Sequence, residues 1–198
     1  MLYCQCYQAK FYGKGERIMV YAFLADGFEE VEALMVVDIL RRAGIETVTV
    51  SVSDNYEVKS SHNIVVKADA LIKDVDFDKA ELIFLPGGIP GTPNLAACET
   101  LVANIKDFNN KGKRLAAICA APSILGELGI LAGKVVSCYP GYEDSLKGAT
   151  YKREKVITDG NITTARGLGA AIDMGLELVT ILKSKEEADS IAEKIQLV

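Results

Sequence analysis

The chain has 198 residues, of which 49% are hydrophobic and 25% are charged, a composition typical of a folded protein. Its 22 basic and 27 acidic residues leave a net charge of −5, which disfavours general nucleic-acid binding because such binding needs a cationic surface. No apolar run approaches the roughly 18 to 20 residues that cross a membrane, and the first ten residues lack the layout of a secretory signal. We expect no nucleic-acid and no membrane partner.

Residues 1–18 differ from the rest of the chain, and we interpret them as a leader or extension before a single domain at 19–198. This segment is polar and interrupted by glycine, without helical or strand periodicity. Cys4 and Cys6 form a Cys-x-Cys pair, which without further ligands nearby is a poor indication of a metal site. The five cysteines of the chain are an odd number without a regular framework, which favours a reduced, cytoplasmic protein.

Strand and helix patterns alternate from residue 18 onward. Short apolar runs rich in β-branched residues predict buried strands, and apolar residues at helical spacing predict helices. The predicted elements are, in chain order, a strand at 18–24, a helix at 27–43, strands at 45–52, 64–66 and 82–85, a helix at 92–111, a strand at 115–118, a helix from 122, a hairpin at 156–165 with its turn at 159–160, and helices at 168–182 and from 184.

Three of these helix starts carry capping signals. Asp26 and Glu29 have the spacing of a capping box, and Thr92 followed by proline indicates an N-cap with proline at the first helical position. Ser184 and Glu187 form a second capping box. These signals predict where the first helix, the helix at 92–111 and the last helix begin.

Short, nearly all-apolar strands separated by helices indicate an α/β fold with a mostly parallel central sheet covered on both faces. In such folds ligands bind beyond the carboxyl ends of the strands. The residues directly after Leu24, Leu85 and Ile118 are therefore expected to form a functional site.

Glu32 is the unusual residue of the first of these loops and its helix. At about 100° per residue it shares one face with the apolar positions 28, 35, 36, 39 and 43. A carboxylate in an apolar stripe must be paired, protonated or directed into a cavity, because burying it charged and alone is too costly. A carboxylate that merely reaches solvent or satisfies backbone donors is the alternative interpretation. The opposite face carries Leu34 and Val37, which suggests a second buried contact, such as another subunit.

The second loop contains the adjacent glycines Gly87 and Gly88 at a strand end. Such a pair lets backbone N–H groups turn toward an oxyanion or phosphate. A simple tight turn explains the same two residues, so the pair alone does not define a site.

The third loop places Cys119 directly after an apolar strand and before two alanines and Pro122. This order is typical of a strand–nucleophile–helix elbow, in which small neighbours are needed because the turn is cramped. The N-terminus of the following helix is expected to favour the thiolate and to lower the pKa of the thiol. Cys98 and Cys138 lack such a setting and are interpreted as inert core residues.

The only histidine, His62, limits the chemistry that this cysteine can perform. A cysteine hydrolase normally uses a histidine base, and no histidine follows Cys119. His62 lies in a polar segment far upstream and is expected to be a surface residue. A thiolate, a glycine-rich anion site and one buried carboxyl group remain, and these suit proton transfer on a small carbonyl compound better than peptide hydrolysis.

Taken together, these motifs resemble the ThiJ/PfpI superfamily, in the branch of the parkinsonism-associated protein deglycase. The resemblance extends over about residues 19–182 and excludes the leader. Five segments in the same order carry it: Ala25–Glu32, Asp38–Gly44, Leu85–Gly88, Ala116–Pro122 and Thr163–Gly167.

This resemblance implies a flavodoxin-like three-layer sandwich of the class I glutamine amidotransferase-like type, which forms a homodimer through the first helix. It implies that Cys119 is the reactive, easily oxidised cysteine and that Glu32 is its partly protonated partner. Gly88 and Ala120 would donate their backbone N–H groups to a bound oxyanion. Many relatives carry a histidine where this chain has Tyr139, a departure that affects a candidate proton acceptor.

Our leading hypothesis is a glyoxalase or deglycase that acts on methylglyoxal-like α-oxoaldehydes or on their glycated adducts, with no metal and no organic cofactor. Cys119 would attack the aldehyde and Glu32 would move the proton. The alternative is a redox-sensing or chaperone-like protein with an oxidisable Cys119 and little turnover. A peptidase, the activity for which some relatives are named, is the third hypothesis, and the absence of a suitable histidine counts against it.

Overall fold

The computed structural model describes residues 18–198. Its helices are α1 (Glu30–Arg42), α2 (Gly91–Ala96), α3 (Glu99–Asn110), α4 (Pro122–Glu127), α5 (Ala171–Leu182) and α6 (Lys185–Lys194). Its strands are β1 (Met19–Leu24), β2 (Glu46–Ser51), β3 (Glu57–Lys59), β4 (Val65–Lys67), β5 (Ala70–Leu71), β6 (Leu82–Leu85), β7 (Arg114–Ile118), β8 (Val135–Val136), β9 (Thr150–Tyr151), β10 (Val156–Asp159) and β11 (Ile162–Ala165).

A seven-stranded sheet with the order β10-β11-β7-β6-β1-β2-β5 forms the central layer. Its pairings are parallel except for the antiparallel hairpin of β10 and β11. The hairpin is present at 156–165 as predicted, but its turn consists of Gly160 and Asn161 rather than Asp159 and Gly160, because Asp159 still pairs with Ile162. The carboxyl ends of β1, β6 and β7 lie side by side, so the loops that follow these three strands meet at one edge of the sheet.

Both faces of this sheet are covered by helices, because neighbouring strand residues point to opposite sides. In β1, Val20 and Ala22 pack with α1, α5 and α6, whereas Tyr21 and Phe23 pack with α3 and α4. All four of these side chains are buried. The predicted α/β architecture of three layers is therefore confirmed.

The helix predicted at 92–111 is two helices, α2 and α3, and this part of the prediction was wrong. Cys98 adopts an extended conformation (φ −79°, ψ 98°) and forms the N-cap of α3, so the chain turns between the helices. Thr92 is also not the predicted N-cap, since α2 begins at Gly91 with Pro90 as its cap. The apolar pattern continues across the turn, which is why periodicity alone missed it.

The first helix begins at Glu30, three residues later than predicted, and its N-cap is Glu29 rather than Asp26. The Asp26 carboxylate instead accepts the backbone N–H of Lys59 at 2.8 Å and ties the loop after β1 to β3. The capping box at Ser184 is confirmed, because its hydroxyl accepts the N–H of Glu187 at 3.2 Å.

Two further elements differ from the prediction in their surroundings. The strand expected at 64–66 is β4, which pairs with β3 in a separate two-stranded antiparallel sheet. The helix expected at 168–182 begins with a 3₁₀ turn at Leu168–Ala170, and α5 follows it. Within residues 18–198, no helix combines the length and apolar character that a membrane span needs.

The leader predicted at 1–18, with Cys4 and Cys6, lies outside the described residues apart from Ile18. Its interpretation stays a prediction. Within the described part of the chain, Cys98, Cys119 and Cys138 are free cysteines.

Candidate active site

Cys119 follows β7 directly and sits on the sharp turn that the sequence predicts. Its backbone has a φ of 65°, a left-handed conformation that costs a residue other than glycine about 1–3 kcal/mol. Two backbone hydrogen bonds hold it there: the Cys119 N–H donates to the carbonyl oxygen of Ala165 at 2.9 Å, and its own carbonyl accepts the N–H of Tyr139 at 2.8 Å. Strain of this kind at a half-buried cysteine is typical of a functional elbow.

The Cys119 sulfur is surrounded by hydrogen-bonding groups from three segments. The backbone N–H groups of Gly88 and Ala120 donate to it, and its thiol forms a hydrogen bond with the Glu32 carboxyl group. Burial and the Glu32 charge raise the pKa of the thiol well above its ordinary value, and the two backbone donors only partly oppose this rise. The lowered pKa expected from the helix N-terminus was therefore wrong, because burial and a neighbouring carboxylate outweigh it.

Glu32 is 1% exposed, as the apolar stripe of α1 predicts. Its Oε2 atom accepts the N–H of Gly87 at 3.0 Å, and its carboxyl group also accepts the N–H of Leu168. Burial, assisted by the nearby charge of Glu29, raises the pKa of Glu32 to about 7. At neutral pH the carboxyl group and the thiol consequently hold a proton between them, and they titrate as a coupled pair.

One glycine allows this pair to form, and a second lies beside it. A Cβ atom on Gly87 would lie 2.6 Å from both the Cys119 Cβ and the Glu32 Oε2, so the two side chains can meet only beside a residue without a side chain. Gly167 has a φ of 152°, and a Cβ atom there would lie 3.6 Å from the Glu32 Oε1 and 3.7 Å from the Cys119 Sγ. The N–H of Gly87 is taken by Glu32, and its predicted role in binding an oxyanion stays a prediction.

Glu29 fixes the helix that carries Glu32. Its Oε2 atom accepts the N–H of Glu32 at 2.6 Å, and its own N–H donates to the Gly87 carbonyl oxygen at 2.9 Å. The first turn of α1 is thereby fastened to the glycine loop after β6. This connection fixes the position of the Glu32 carboxyl group beside the Cys119 sulfur.

Tyr139 and His62 lie at the edge of this arrangement. The Tyr139 side chain is 51% exposed, and its Cδ2 atom would lie 3.3 Å from a Cβ atom on Gly167. The His62 side chain is 68% exposed, as predicted for a surface residue, and its Nδ1 atom lies 2.9 Å from the Glu30 Oε1. Among the described residues, no hydrogen bond connects His62 with Cys119.

The sequence analysis predicted Cys119, Glu32, Gly87, Gly88, Ala120 and Tyr139 as site residues, and the structure brings all six together around the sulfur. Gly167, Leu168 and Glu29 were not predicted as site residues. Gly167 and Leu168 follow β11, and the carboxyl end of this strand lies next to that of β7. Attention to every strand end of the predicted sheet, rather than three of them, could have found them.

An α/β sandwich with a cysteine on a strand–helix elbow and a buried glutamate beside it defines a class: flavodoxin-like proteins of the class I glutamine amidotransferase-like type. A sequence profile of the DJ-1/PfpI family matches residues 17–181, and the chain belongs to this family. The resemblance that the motifs indicate is therefore confirmed.

Relatives from distant organisms agree with this assignment. The chain is 37% identical over 171 residues to Protein DJ-1 homolog B of Arabidopsis thaliana, a match that covers 85% of this chain and 39% of that protein. It is 30% identical to the glutathione-independent glyoxalase DJR-1.2 of Caenorhabditis elegans, with 85% and 90% covered. The oxidized DJ-1 of Toxoplasma gondii has a TM-score of 0.87 at 36% identity, with 90% and 98% covered.

The chain spans only about two fifths of the two Arabidopsis relatives, 39% and 44% of their lengths. The Caenorhabditis and Toxoplasma relatives are covered almost completely. The family fold therefore occurs both as most of a protein and as part of a longer one.

Glu32 makes the stability of the fold depend on pH. The carboxyl group ionises near its ordinary value of 4.5 when unfolded and near 7 when folded. The folded state thus binds more protons between these values, and the free energy of unfolding falls as the pH rises through this window, by on the order of 2–3 kcal/mol. We expect Glu32→Gln to remove this contribution, as measured by urea unfolding of both proteins between pH 4.5 and 7.5.

The control for this measurement is Glu57→Gln, which changes an exposed carboxyl group on β3. This variant should follow the wild-type pH profile. Parallel profiles for the wild type and Glu32→Gln would contradict the raised pKa of the buried carboxyl group.

Proposed function

We propose that this protein is a cysteine-dependent glyoxalase or deglycase. It converts methylglyoxal-like α-oxoaldehydes into α-hydroxy acids, or it releases such acids from the adducts that these aldehydes form. The observation that carries the proposal is the hydrogen bond between the Cys119 thiol and a carboxyl group whose pKa is about 7. A carboxyl group of this pKa both gives and accepts a proton readily at neutral pH. The relative named as a glutathione-independent glyoxalase supports the same assignment.

In the first step, the Cys119 sulfur attacks the aldehyde carbon of the substrate. The thiol proton passes through Glu32 to the carbonyl oxygen, and a hemithioacetal forms. The backbone N–H groups of Gly88 and Ala120, which donate to the sulfur in the resting site, lie beside the carbon under attack. They are positioned to stabilise the negative charge that develops on the oxygen.

In the second step, Glu32 removes the proton from the carbon bonded to sulfur and returns it to the neighbouring carbon, while the hydroxyl proton of the hemithioacetal moves to the oxygen on that neighbouring carbon. The product is a thioester of an α-hydroxy acid. Water then hydrolyses the thioester, which releases the acid and restores the thiol. In total one molecule of water is added to the α-oxoaldehyde, so methylglyoxal yields lactate, and an adduct yields lactate and the free amine.

Replacing either member of the pair should abolish turnover for different reasons. Cys119→Ala removes the nucleophile, and Glu32→Gln keeps the shape of the side chain but cannot transfer a proton. We expect kcat/KM for methylglyoxal to fall by about 10²–10⁴-fold in Glu32→Gln and to be undetectable in Cys119→Ala, measured as lactate formed over time. Cys98→Ala, at the N-cap of α3, is the matched control and should keep full activity. Unchanged rates in both site variants would rule the mechanism out.

A redox sensor is the second candidate, and one observation favours it. The backbone N–H groups that donate to the Cys119 sulfur, together with Glu32 when it is protonated, would equally stabilise the oxygens of a cysteine sulfinate. One solved relative, from Toxoplasma gondii, is described in its oxidized form. The single histidine, by contrast, lies against Glu30, so among the described residues a peptidase would have no histidine base beside Cys119.

Mild hydrogen peroxide, with intact-protein and peptide mass spectrometry, separates the sensor from the enzyme. We expect oxidation to select Cys119 over Cys98 and Cys138, because the backbone N–H groups of Gly88 and Ala120 lie against its sulfur and would hold the oxygens of a sulfinate, whereas Cys138 is fully buried. A stable gain of two oxygens at Cys119 together with no turnover of methylglyoxal would favour the sensor. Turnover by the reduced protein would favour the enzyme.

We also propose that the protein forms a homodimer through α1. Val31 and Leu34 on this helix are 39% and 38% exposed, although its opposite face is fully buried against α5. A helix that is apolar almost all round is typical of one with a second buried contact. A copy of the same chain, related by a two-fold axis, would cover this second face.

Sedimentation equilibrium tests the dimer. We expect a mass of twice 21.3 kDa for the wild type. The double variant Val31→Asp/Leu34→Asp should sediment as a monomer, because charged groups would be buried without partners. Leu197→Asp, a change of a residue 46% exposed near the C-terminus, should remain a dimer. A monomeric wild type would refute the proposal.

A further inference from the structure

Three large apolar side chains are exposed on the backbone segments that contact the Cys119–Glu32 pair. Ile89, Tyr139 and Leu168 expose 55%, 51% and 51% of their surface. Single exposed apolar residues are common on proteins, but several around one chemically active group are typical of a binding site.

Each of these residues is attached to the pair through its backbone. Gly88, the residue directly before Ile89, donates its N–H to the Cys119 sulfur. The Tyr139 N–H donates to the Cys119 carbonyl oxygen at 2.8 Å. The Leu168 N–H donates to the Glu32 carboxyl group. The three side chains therefore belong to the three backbone segments that position the reacting atoms.

The Tyr139 ring is the best defined of the three. If Gly167 carried a Cβ atom, that atom would lie 3.3 Å from the Tyr139 Cδ2. It would also lie 3.7 Å from the Cys119 Sγ and 3.6 Å from the Glu32 Oε1. Because Gly167 has no side chain, no atom of Gly167 occupies this Cβ position. The edge of an aromatic ring and the reacting atoms consequently border one small volume.

The charges near this volume disfavour an anionic substrate. Glu29, Glu30 and Glu32 are 9%, 7% and 1% exposed, all in the first turn of α1 or directly before it. Among the described contacts of these three, only Glu30 has a basic partner, the exposed ring of His62 at 2.9 Å. Poorly solvated carboxylates repel a further negative charge strongly, since the surroundings screen it weakly.

We propose that Ile89, Tyr139 and Leu168, here called the apolar rim, select neutral α-oxoaldehydes that carry an aromatic or bulky apolar substituent. This inference rests on the proposed function and names its substrate class. The reaction is unchanged: phenylglyoxal gains one molecule of water and becomes mandelate. The rim holds the substituent while the aldehyde carbon meets the Cys119 sulfur.

Steady-state kinetics with phenylglyoxal and methylglyoxal test the rim directly. We expect the wild type to prefer phenylglyoxal by about 10-fold in kcat/KM, the size of a good aromatic contact. Tyr139→Ala should bring this ratio close to 1, mainly through KM for phenylglyoxal. Tyr139→Phe should keep the ratio, because the rim uses the ring and not the hydroxyl group. Tyr56→Ala, at an exposed tyrosine before β3, is the matched control and should keep it too.

Alkylation of Cys119 tests the rim without turnover. Three reagents share one reaction and differ in the attached group: iodoacetanilide is aromatic, iodoacetamide small and neutral, and iodoacetate anionic. Rates at the Cys119 peptide are followed by mass spectrometry and divided by those of N-acetylcysteine. We expect the aromatic reagent to be favoured at least about 5-fold over iodoacetamide and iodoacetate to be disfavoured at least about 10-fold. Tyr139→Ala and Leu168→Ala should reduce the aromatic preference.

The two experiments keep the proposals apart. Turnover of both aldehydes at equal efficiency, with equal alkylation rates, would overturn the rim and leave the glyoxalase proposal standing. An aromatic preference in alkylation without turnover of either aldehyde would support the rim and overturn the enzyme. A preference that survives both Tyr139→Ala and Leu168→Ala would show that other residues select the substituent, and would also overturn the rim.

Discussion

The proton held between Glu32 and Cys119 is the interaction on which the rest of the site depends. Each group alone would be a poorly solvated anion, which a protein interior disfavours strongly. Together they carry a single negative charge once the pH exceeds the Glu32 pKa of about 7, and backbone N–H groups from the loops after β6, β7 and β11 surround the pair. The strained backbone of Cys119 keeps the sulfur at the centre of these donors, so the strain and the hydrogen bonds support one another.

The fold delivers these groups to one place through the order of its strands. Because β11, β7, β6 and β1 are neighbours, their carboxyl ends lie in one row, and α1 returns from the last of them across the same edge. Gly87 and Gly167 leave room for the pair because they have no side chain; a Cβ atom at either position would come into contact with it. Close approach, rather than turn geometry, is the reason for glycine at Gly87.

The sequence predicted what depends on local pattern. An apolar stripe indicated a buried Glu32, and an apolar strand followed by small residues indicated the elbow at Cys119. It missed what depends on contacts between distant segments. Leu168 was read only as part of a helix, although its N–H group meets a carboxyl group on α1. The pKa of the thiol was predicted in the wrong direction, because burial beside a carboxylate outweighs the effect of the adjacent helix N-terminus.

The internal bonding of the pair also explains why recognition of a substrate must come from elsewhere. The Glu32 carboxyl group already binds Gly87, Leu168 and the thiol, and the backbone donors already face the sulfur. In the proposed reaction these groups contact only the reacting carbon and its oxygen, which every α-oxoaldehyde shares. In the proposed reaction, discrimination between aldehydes would therefore depend on side chains just outside the pair. Those side chains are apolar, and one is the aromatic ring of Tyr139, so the remainder of such a substrate would meet a surface that favours burial over charge.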